Sequence, residues 1–317
     1  MSAELLLPWL ALLWPLWLRR RPEAGRPLWM RRSLLLLLTL LCIHYLLWRV
    51  TGSLNLATPL AGSLSVLLLL AEAWLLLCGL LPLLLSWRRF SDGRQEADAA
   101  QQRWLAGSWR PWVDVLIPTC GEPLPVLERC LLGCSQLSYP RRTLWLLDDA
   151  GRPEVAALAA RHGCRYHHRP EQHHAKAGNL NAGLALGDGE LVAVFDADFV
   201  PQHGFLERTI GLLDDPRVAL VQTPQQFLNA DPVMRNLRME AWLLPDEESF
   251  YRWIQPVRSA WRAVVCAGTS FVVRRTALQE IGGFAEEAIS EDLVTGMALS
   301  ARGWQLRYLA EPLSAER

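Results

Sequence analysis

The sequence has no excess of charge of either sign, because 32 acidic residues balance 32 basic ones. Proteins that bind nucleic acid or another polyanion usually carry a basic surplus, so we expect no nucleic-acid partner. Paired cysteines are missing as well. The seven cysteines are odd in number and scattered along the chain. A disulfide scaffold is therefore not expected, and a reducing compartment suits this pattern.

Long apolar runs are abundant near the N-terminus. Three of them precede residue 90, at Leu5–Leu18, Ser33–Val50 and Leu60–Trp87. The second and third are long enough to cross a bilayer core of about 30 Å, which takes roughly 20 helical residues. The first is shorter and contains two prolines, which favours a short or interfacial span. We therefore predict a transmembrane region of two to three helices over residues 1–90.

Arginines are distributed unevenly around these runs. Clusters follow the first and third runs, whereas Thr51–Pro59 carries no charge. Because basic loops stay on the cytosolic side, this loop is expected to face outward and everything after Trp87 to lie in the cytosol. Glu72 falls near the middle of the third run, where a carboxylate is costly. It is either part of a polar pathway or a protonated or paired structural residue.

The rest of the chain has the pattern of an α/β domain. Residues 91–110 are polar and predict an amphipathic linker helix near the membrane surface. Over residues 111–317 short apolar runs alternate with helical patterns. This alternation predicts a parallel-type sheet with helices on both faces. In such sheets ligands bind beyond the carboxyl ends of the strands, so polar residues there are the first candidates for chemistry.

Asp196 and Asp198 follow an apolar run with one residue between them. At a strand end both can lean toward one ion, and two hard oxygen ligands suit Mg²⁺ or Mn²⁺ carrying a diphosphate. An isolated Asp-x-Asp is common in solvated loops and helix caps. Its position at a strand end, among other carboxylates, favours a metal site.

Other candidates each have a plainer alternative. Asp148 and Asp149 precede a tight turn at Gly151 that would let a nucleoside approach, although they also suit a helix cap. Lys176 stands at a predicted helix start, where it would neutralise a phosphate or remain a solvated lysine. Asp292 opens a helical run and is a candidate general base, with a capping acid as the alternative.

Taken together, these strings resemble the family 2 glycosyltransferases of GT-A fold, and within them the bacterial cellulose synthase branch. The matching strings follow the family's order over residues 110 to 310: Val113–Pro118 with Glu122-Pro123, Asp148-Asp149, His174–Asn179, Phe195–Asp198, Val221–Pro224, Arg274-Arg275, Gly282–Phe284, and Ser290–Asp292 with Arg302–Trp304. The resemblance implies N-terminal transmembrane helices followed by a GT-A (Rossmann-like) domain.

The resemblance also implies roles for individual residues. Metal binding falls to Asp196 and Asp198, with Mg²⁺ or Mn²⁺ as the cofactor. Catalysis falls to Asp292, Asp196 and Asp149, where Asp292 is the base that deprotonates the acceptor hydroxyl as it attacks the donor sugar. The implied contacts to the UDP-sugar are Thr119, Glu122, Asp148, Asp149, Lys176, Asp196 and Gln222.

The implied activity is inverting transfer of glucose from UDP-glucose to a growing β-1,4-glucan, by a multi-pass protein of the bacterial inner (plasma) membrane with a cytosolic catalytic domain. The implied partners are the glucan acceptor, the membrane and a periplasmic accessory subunit. The family's Gln-x-x-Arg-Trp motif is not in the sequence, so the GT-A domain is expected to be C-terminally incomplete. Alternatives are another processive family 2 transferase, making chitin, hyaluronan or another β-glucan, and an inactive truncated scaffold.

Overall fold

The computed structural model describes residues 13–17, 28–88, 90–229, 231–239 and 245–316. Most of the first predicted apolar run, Leu5–Leu18, and most of the arginine cluster after it lie outside these residues. The chain forms two compact units, Met1–Arg89 and Phe90–Arg317.

The first unit contains two long apolar helices. Helix α1 spans Leu28–Trp48 and continues as a π-helical turn over Arg49–Ser53, and helix α2 spans Pro59–Leu85. Both are long and apolar enough to cross a membrane. Thr58 caps α2, since its hydroxyl accepts a hydrogen bond from the backbone N–H of Ala61 at 3.2 Å. The two helices coincide with the second and third predicted apolar runs.

Glu72 has a partner within this unit. The Arg49 Nε lies 2.6 Å from Glu72 Oε2, and Arg49 Nη1 donates to the Ser53 hydroxyl, also at 2.6 Å. An acidic residue in an apolar helix is tolerated when it is paired in this way. Of the two interpretations offered for Glu72, the structure favours the paired structural residue.

The second unit is a mixed α/β domain. Its helices are α3 Arg94–Ala106, α4 Leu124–Ser135, α5 Pro153–Arg161, α6 Ala175–Leu186, α7 Phe205–Ile210, α8 Pro232–Asn236, α9 Asp246–Ser249, α10 Gln255–Ala260, α11 Arg275–Ile281 and α12 Glu291–Ala301. A 3-10 turn, Gly211–Asp214, follows α7, and a π-helical turn, Phe250–Ile254, precedes α10. Its strands are β1 Val113–Thr119, β2 Arg142–Asp148, β3 Arg165–His167, β4 Leu191–Val194, β5 Phe199–Pro201, β6 Val218–Gln222, β7 Phe271–Arg274, β8 Gln305–Tyr308 and β9 Ser314–Glu316.

Seven strands form the main sheet, in the order β3-β2-β1-β4-β7-β6-β8. Its β3-β2-β1-β4 half is parallel, β7 runs antiparallel to both of its neighbours, and β6 pairs with β8 in parallel. Strands β5 and β9 form a separate two-stranded sheet. The predicted α/β GT-A class is confirmed. The alternation of runs did not reveal strand β7, which runs antiparallel within this otherwise parallel-type sheet.

Both faces of the sheet are covered, as β1 illustrates. Val113, Val115 and Ile117 pack in one buried cluster, whereas Leu116 packs in a second cluster on the other face. Successive side chains of a strand point to opposite faces, so a strand buried on both is apolar at nearly every position. This is why β1 reads as a continuous apolar run.

The predicted linker segment contains a helix that belongs to the second unit. Helix α3 buries Ala97, Ala100 and Trp104 in the core of that unit. Arg208 fastens it from α7, with its guanidinium 2.6 Å from Asp98 and 2.5 Å from Glu311. The position of this helix near a membrane surface stays a prediction.

Candidate active site

Three neighbouring parallel strands, β2, β1 and β4, end at the same edge of the sheet. A cleft of about 240 Å³ opens there. Its lining consists of Pro118, Thr119, Cys120, Glu122, Asp149, Ala175, Lys176, Asn179, Asp196, Ala197 and Asp198. The strand topology thus explains why side chains far apart in sequence meet at one place.

Six of the predicted site residues line this cleft: Thr119, Glu122, Asp149, Lys176, Asp196 and Asp198. Asp148, Gln222 and Asp292 lie outside the lining. The first two are fully buried, and their side chains bind other protein groups, whereas Asp292 lies beside Lys176 across a glycine.

Asp148 organises the turn after β2. One carboxylate oxygen accepts from the backbone N–H of Ala150 at 3.2 Å and from the Arg152 guanidinium at 3.2 Å. The other accepts from the backbone N–H of Arg152 at 2.8 Å and from the Tyr166 hydroxyl at 3.1 Å. All of these donors belong to the protein. Asp148 thus shapes the turn before helix α5, whose start has no side-chain cap, and its contact with a nucleoside stays a prediction.

Asp149 is buried at the cleft wall and is held by Arg169. The Arg169 Nε lies 2.6 Å from Asp149 Oδ1, and Arg169 Nη2 lies 2.8 Å from Asp149 Oδ2. Arg169 also donates to the carbonyls of His173 and Ala175, at 2.6 and 2.8 Å. The hydrogen bonds to Asp149 raise the pKa of Arg169. One guanidinium therefore ties the turn after β2 to the start of helix α6.

The start of α6 is unusual in its backbone conformation. His174 and Ala175 have φ values of 61° and 42°, in the left-handed region that residues with a side chain rarely adopt. Such a turn persists when its surroundings hold it, and Arg169 contacts the carbonyls on both sides of His174. The turn places Lys176 in the cleft.

Glu122 closes the turn after β1. One of its oxygens accepts from the Thr119 hydroxyl and from the backbone N–H groups of Cys120 and Gly121, at 2.9 and 3.1 Å for the two amides. Burial would raise the pKa of Glu122, but these hydrogen bonds outweigh it and lower the pKa below its usual value. Arg152 joins this turn through the carbonyl of Glu122 at 2.7 Å.

Asp196 and Lys176 form an ion pair in the cleft. The Lys176 Nζ lies 2.5 Å from Asp196 Oδ1 and donates to the carbonyl of Gly268 at 2.8 Å. The backbone N–H of Asp196 donates to the Thr269 hydroxyl at 2.8 Å. Burial raises the pKa of Asp196, and the nearby Asp198 adds to this, while the Lys176 ammonium acts in the opposite direction.

The donor set at Asp196 and Asp198 fits a hard divalent cation. Asp196 Oδ1 is closed to solvent and has no hydrogen-bond partner among the described residues beyond its ion pair with Lys176. No cluster of three or more His, Cys, Asp or Glu side chains with metal-binding geometry occurs in the described part of the chain. Two carboxylates match Mg²⁺ or Mn²⁺ that takes its remaining ligands from water and a diphosphate.

Gln222 holds the loop that faces the cleft. Its amide nitrogen donates to the carbonyls of Thr223 and Thr269, both at 2.8 Å, and its oxygen accepts from the backbone N–H of Ala267 at 2.9 Å. With both ends of the amide occupied, Gln222 positions the loop. A direct contact with the donor stays a prediction from the resemblance.

Asp292 approaches the same loop from helix α12. Gly268 has a φ of 79°, and a side-chain carbon placed on it would lie 3.1 Å from Asp292 Oδ2 and 3.6 Å from Lys176 Nζ. A glycine is thus required between the two charges. Ser290, the residue before α12, makes no side-chain cap, and Asp292 Oδ1 accepts from the N–H of Leu293 at 2.7 Å. The second carboxylate oxygen faces the loop.

Sequence reasoning missed Arg152, Arg169 and Gly268. The first two follow strands β2 and β3, close to the predicted carboxylates, so their positions were a usable signal. Gly268 had no such signal, because its partner Lys176 lies 92 residues earlier.

The comparisons with known proteins identify the family of the chain. Residues 114–282, more than half of the chain, match Glycosyl transferase family 2. The chain belongs to this family. The matched segment runs from the start of β1 to the end of α11 and contains Asp149, Lys176, Asp196 and Asp198.

Relatives with similar sequences carry cellulose synthase names. The chain is 39% identical over 285 residues to putative cellulose synthase 2 of Komagataeibacter xylinus, covering 89% of this chain and 18% of that protein. It is 37% identical over 278 residues to the UDP-forming cellulose synthase catalytic subunit of Xanthomonas axonopodis pv. citri, covering 86% of this chain and 37% of the relative. The chain therefore spans well under half the length of these curated relatives.

Solved structures share the fold. The mannosyltransferase PcManGT from Pyrobaculum calidifontis, in complex with GDP-Man and Mn²⁺, superposes with a TM-score of 0.52 at 21% identity, over 71% of this chain and 64% of that one. S. aureus TarS 1-349 gives a TM-score of 0.51 at 13% identity, over 65% of this chain and 60% of that one. At these identities the likeness concerns the fold alone.

Proposed function

We propose that this chain is the membrane-bound catalytic part of an inverting glycosyltransferase, which transfers glucose from UDP-glucose to a growing β-1,4-glucan. Family membership supports the reaction class, and the names of the relatives support the donor and the product. The observation that carries the proposal is the cleft at the ends of β1, β2 and β4, in which Asp149, Lys176, Asp196 and Asp198 converge.

The chain's residues divide the work by position. Asp149, fixed by Arg169, would bind the uridine, and Lys176 would donate to the diphosphate, since a lysine suits phosphate as a point charge. Asp196 and Asp198 would hold Mg²⁺ or Mn²⁺, which stabilises charge on the leaving diphosphate. Asp292 would take the proton of the acceptor 4-hydroxyl as that oxygen attacks the anomeric carbon. Because the acceptor oxygen displaces UDP from the opposite side of the anomeric carbon, an α-linked donor would give a β-linked product.

The location follows from the two apolar helices and the arginine distribution. We place α1 and α2 across the bacterial inner membrane, with Thr51–Pro59 on the periplasmic side and the second unit in the cytosol. A periplasmic accessory subunit and the glucan acceptor complete the partners. This arrangement keeps the cleft in the compartment that supplies nucleotide sugars.

The proposal is tested by donor choice in membranes that contain the full chain. UDP-glucose and UDP-N-acetylglucosamine are offered separately with Mn²⁺, and UDP release and polymer formation are measured for the wild type and for Asp196→Asn. We expect the wild type to transfer glucose and Asp196→Asn to lose this transfer. If the wild type turns over UDP-N-acetylglucosamine faster than UDP-glucose, the proposed glucan product is wrong. Absence of both UDP release and polymer formation in the wild type would leave a scaffold without enzyme function.

A further inference from the structure

Lysine is used once in this chain. All but one of the 32 basic residues are arginines, and the exception is Lys176. Arginine has a planar fork that suits fixed pairs, whereas lysine is a compact point charge on a flexible stem that exchanges partners readily. Arg169 in the same site has the fixed role, since it binds both oxygens of Asp149. Lys176 is therefore the basic residue of the site that is suited to exchanging one anionic partner for another.

The oxygen that Lys176 contacts is one of the two with which Asp196 could ligate a cation. Asp196 Oδ1 is closed to solvent and lies 2.5 Å from the ammonium. A divalent cation that ligates the same oxygen would lie next to the ammonium, and two cations at such a distance repel each other. The cation can take this oxygen only after Lys176 has moved away.

The Lys176 ammonium contacts a neutral group besides Asp196. Its other contact is the carbonyl of Gly268 at 2.8 Å, and a neutral carbonyl does not replace a carboxylate as a partner for an ammonium. A side-chain carbon built on Gly268 would lie 3.1 Å from Asp292 Oδ2 and 3.6 Å from Lys176 Nζ, so Asp292 lies on the same side of the loop as the ammonium. A diphosphate in the cleft would supply new anionic oxygens to the ammonium.

We propose that Lys176 occupies the place of the divalent cation at Asp196. It leaves Asp196 only when a nucleoside diphosphate arrives, so that cation and nucleotide bind in a coupled manner. The inference rests on the proposed function and adds to it that cation binding depends on nucleotide binding. Cation alone binds weakly because it must displace the ammonium, and nucleotide removes this obstacle by taking the ammonium over. Such coupling is reciprocal, so the cation strengthens nucleotide binding by the same factor.

The experiment measures Mn²⁺ binding to the full chain in detergent by electron paramagnetic resonance, with and without saturating UDP. In the wild type we expect UDP to tighten Mn²⁺ binding by about 10-fold or more, within the usual range of coupling between sites. In Lys176→Gln we expect tighter Mn²⁺ binding without UDP and a smaller coupling factor than in the wild type, the remainder coming from direct ligation of the cation by the diphosphate. Lys176→Met tests the same expectation without a hydrogen-bonding group, in case one variant folds poorly. Arg217→Gln, which removes a cation from the exposed pair with Asp215, is the control and should match the wild type.

The outcomes separate the inference from the function. If the wild type binds Mn²⁺ and UDP but both lysine variants keep wild-type Mn²⁺ affinity without UDP, the exchange is overturned and the function stands. The same holds if both variants keep the full coupling factor of the wild type. If the wild type shows no Mn²⁺-dependent UDP binding, the proposed function itself fails.

Discussion

Arg169 holds Asp149 through both carboxylate oxygens, at 2.6 and 2.8 Å. The same guanidinium binds the carbonyls of His173 and Ala175, at the left-handed turn that begins helix α6. The side chain proposed to bind uridine and the helix start that carries Lys176 therefore share one anchor. A change in this anchor is expected to disturb both ends of the donor.

The first prediction concerns this anchor. Arg169→Lys keeps the charge but loses the bidentate contact with Asp149. An ammonium cannot bind both oxygens of Asp149 and the carbonyls of His173 and Ala175 in this geometry. We expect UDP affinity to fall about 10-fold or more, since each charge-assisted hydrogen bond contributes about 1.5–3 kcal/mol. Isothermal titration with UDP and Mn²⁺ measures this. Arg161→Lys, at an exposed arginine 3.9 Å from Glu128, is the matched control, and equal affinities in the two variants would contradict the role.

A second prediction concerns the cation site. Asp198→Asn replaces a charged ligand with a neutral amide and should abolish Mn²⁺-dependent UDP binding. The measurement is UDP titration with and without Mn²⁺. Asp188→Asn, at an exposed aspartate before Gly189, should leave binding at the wild-type level. Undiminished Mn²⁺-dependent affinity in Asp198→Asn would remove Asp198 from the site.

The parallel half of the fold was predictable for a physical reason. Strands β1, β2 and β4 are buried, so they read as apolar runs, and the polar residues after them mark the ligand edge. Strand β7 is a run of four residues, Phe271–Arg274, and α11 begins at the very next residue. Its place between β4 and β6 is set by pairing across long stretches of sequence. No local pattern predicts such pairing.

The site was predictable to the extent that its residues follow strands. The carboxylates at 149, 196 and 198 do so and line the cleft. Asp148 follows a strand too, but its lone pairs are taken by Ala150, Arg152 and Tyr166. Spacing alone does not distinguish a carboxylate that lines the cleft from its neighbour that shapes the turn. That difference is decided by the direction of the side chain.

A third prediction concerns stability. Asp114 and Arg275 form a buried ion pair at 2.6 Å between β1 and α11, and Asp114 also accepts from the Trp145 indole at 3.0 Å. Arg275→Met leaves a buried carboxylate without its counter-ion and should lower the free energy of unfolding by about 3–5 kcal/mol. Urea unfolding followed by tryptophan fluorescence measures this. Arg217→Met, at an exposed pair, should change it by less than about 0.5 kcal/mol. Similar values for both variants would contradict the structural role of the pair.

A fourth prediction concerns topology. With Thr51–Pro59 on the periplasmic side, a cysteine introduced as Ala57→Cys should react with an impermeant maleimide added to intact cells. Cys120 is the suitable reporter for the second unit because it is exposed, whereas Cys164 is buried and would escape labelling on either side. We expect Cys120 to react only after the membrane is permeabilised. Labelling of Cys120 in intact cells, with Ala57→Cys unreactive, would reverse the proposed orientation.

The last prediction concerns Asp292, for which a structural and a catalytic role give different results. Asn is similar to Asp as a helix-start residue, so in a purely structural role Asp292→Asn should cost about 1 kcal/mol or less and leave transfer nearly unchanged. In a catalytic role the same substitution removes the proton acceptor while donor binding stays intact, and the rate should fall by about 10² to 10⁴. We expect the second outcome, because Asp292 Oδ2 faces Gly268 beside Lys176 and Ser290 makes no side-chain cap. Glucosyl transfer and UDP affinity are measured in parallel on the full chain. Glu287→Gln, which lies outside the cleft lining, is the control. Transfer lost with UDP affinity retained identifies the base, and transfer at the wild-type rate would leave Asp292 a structural residue.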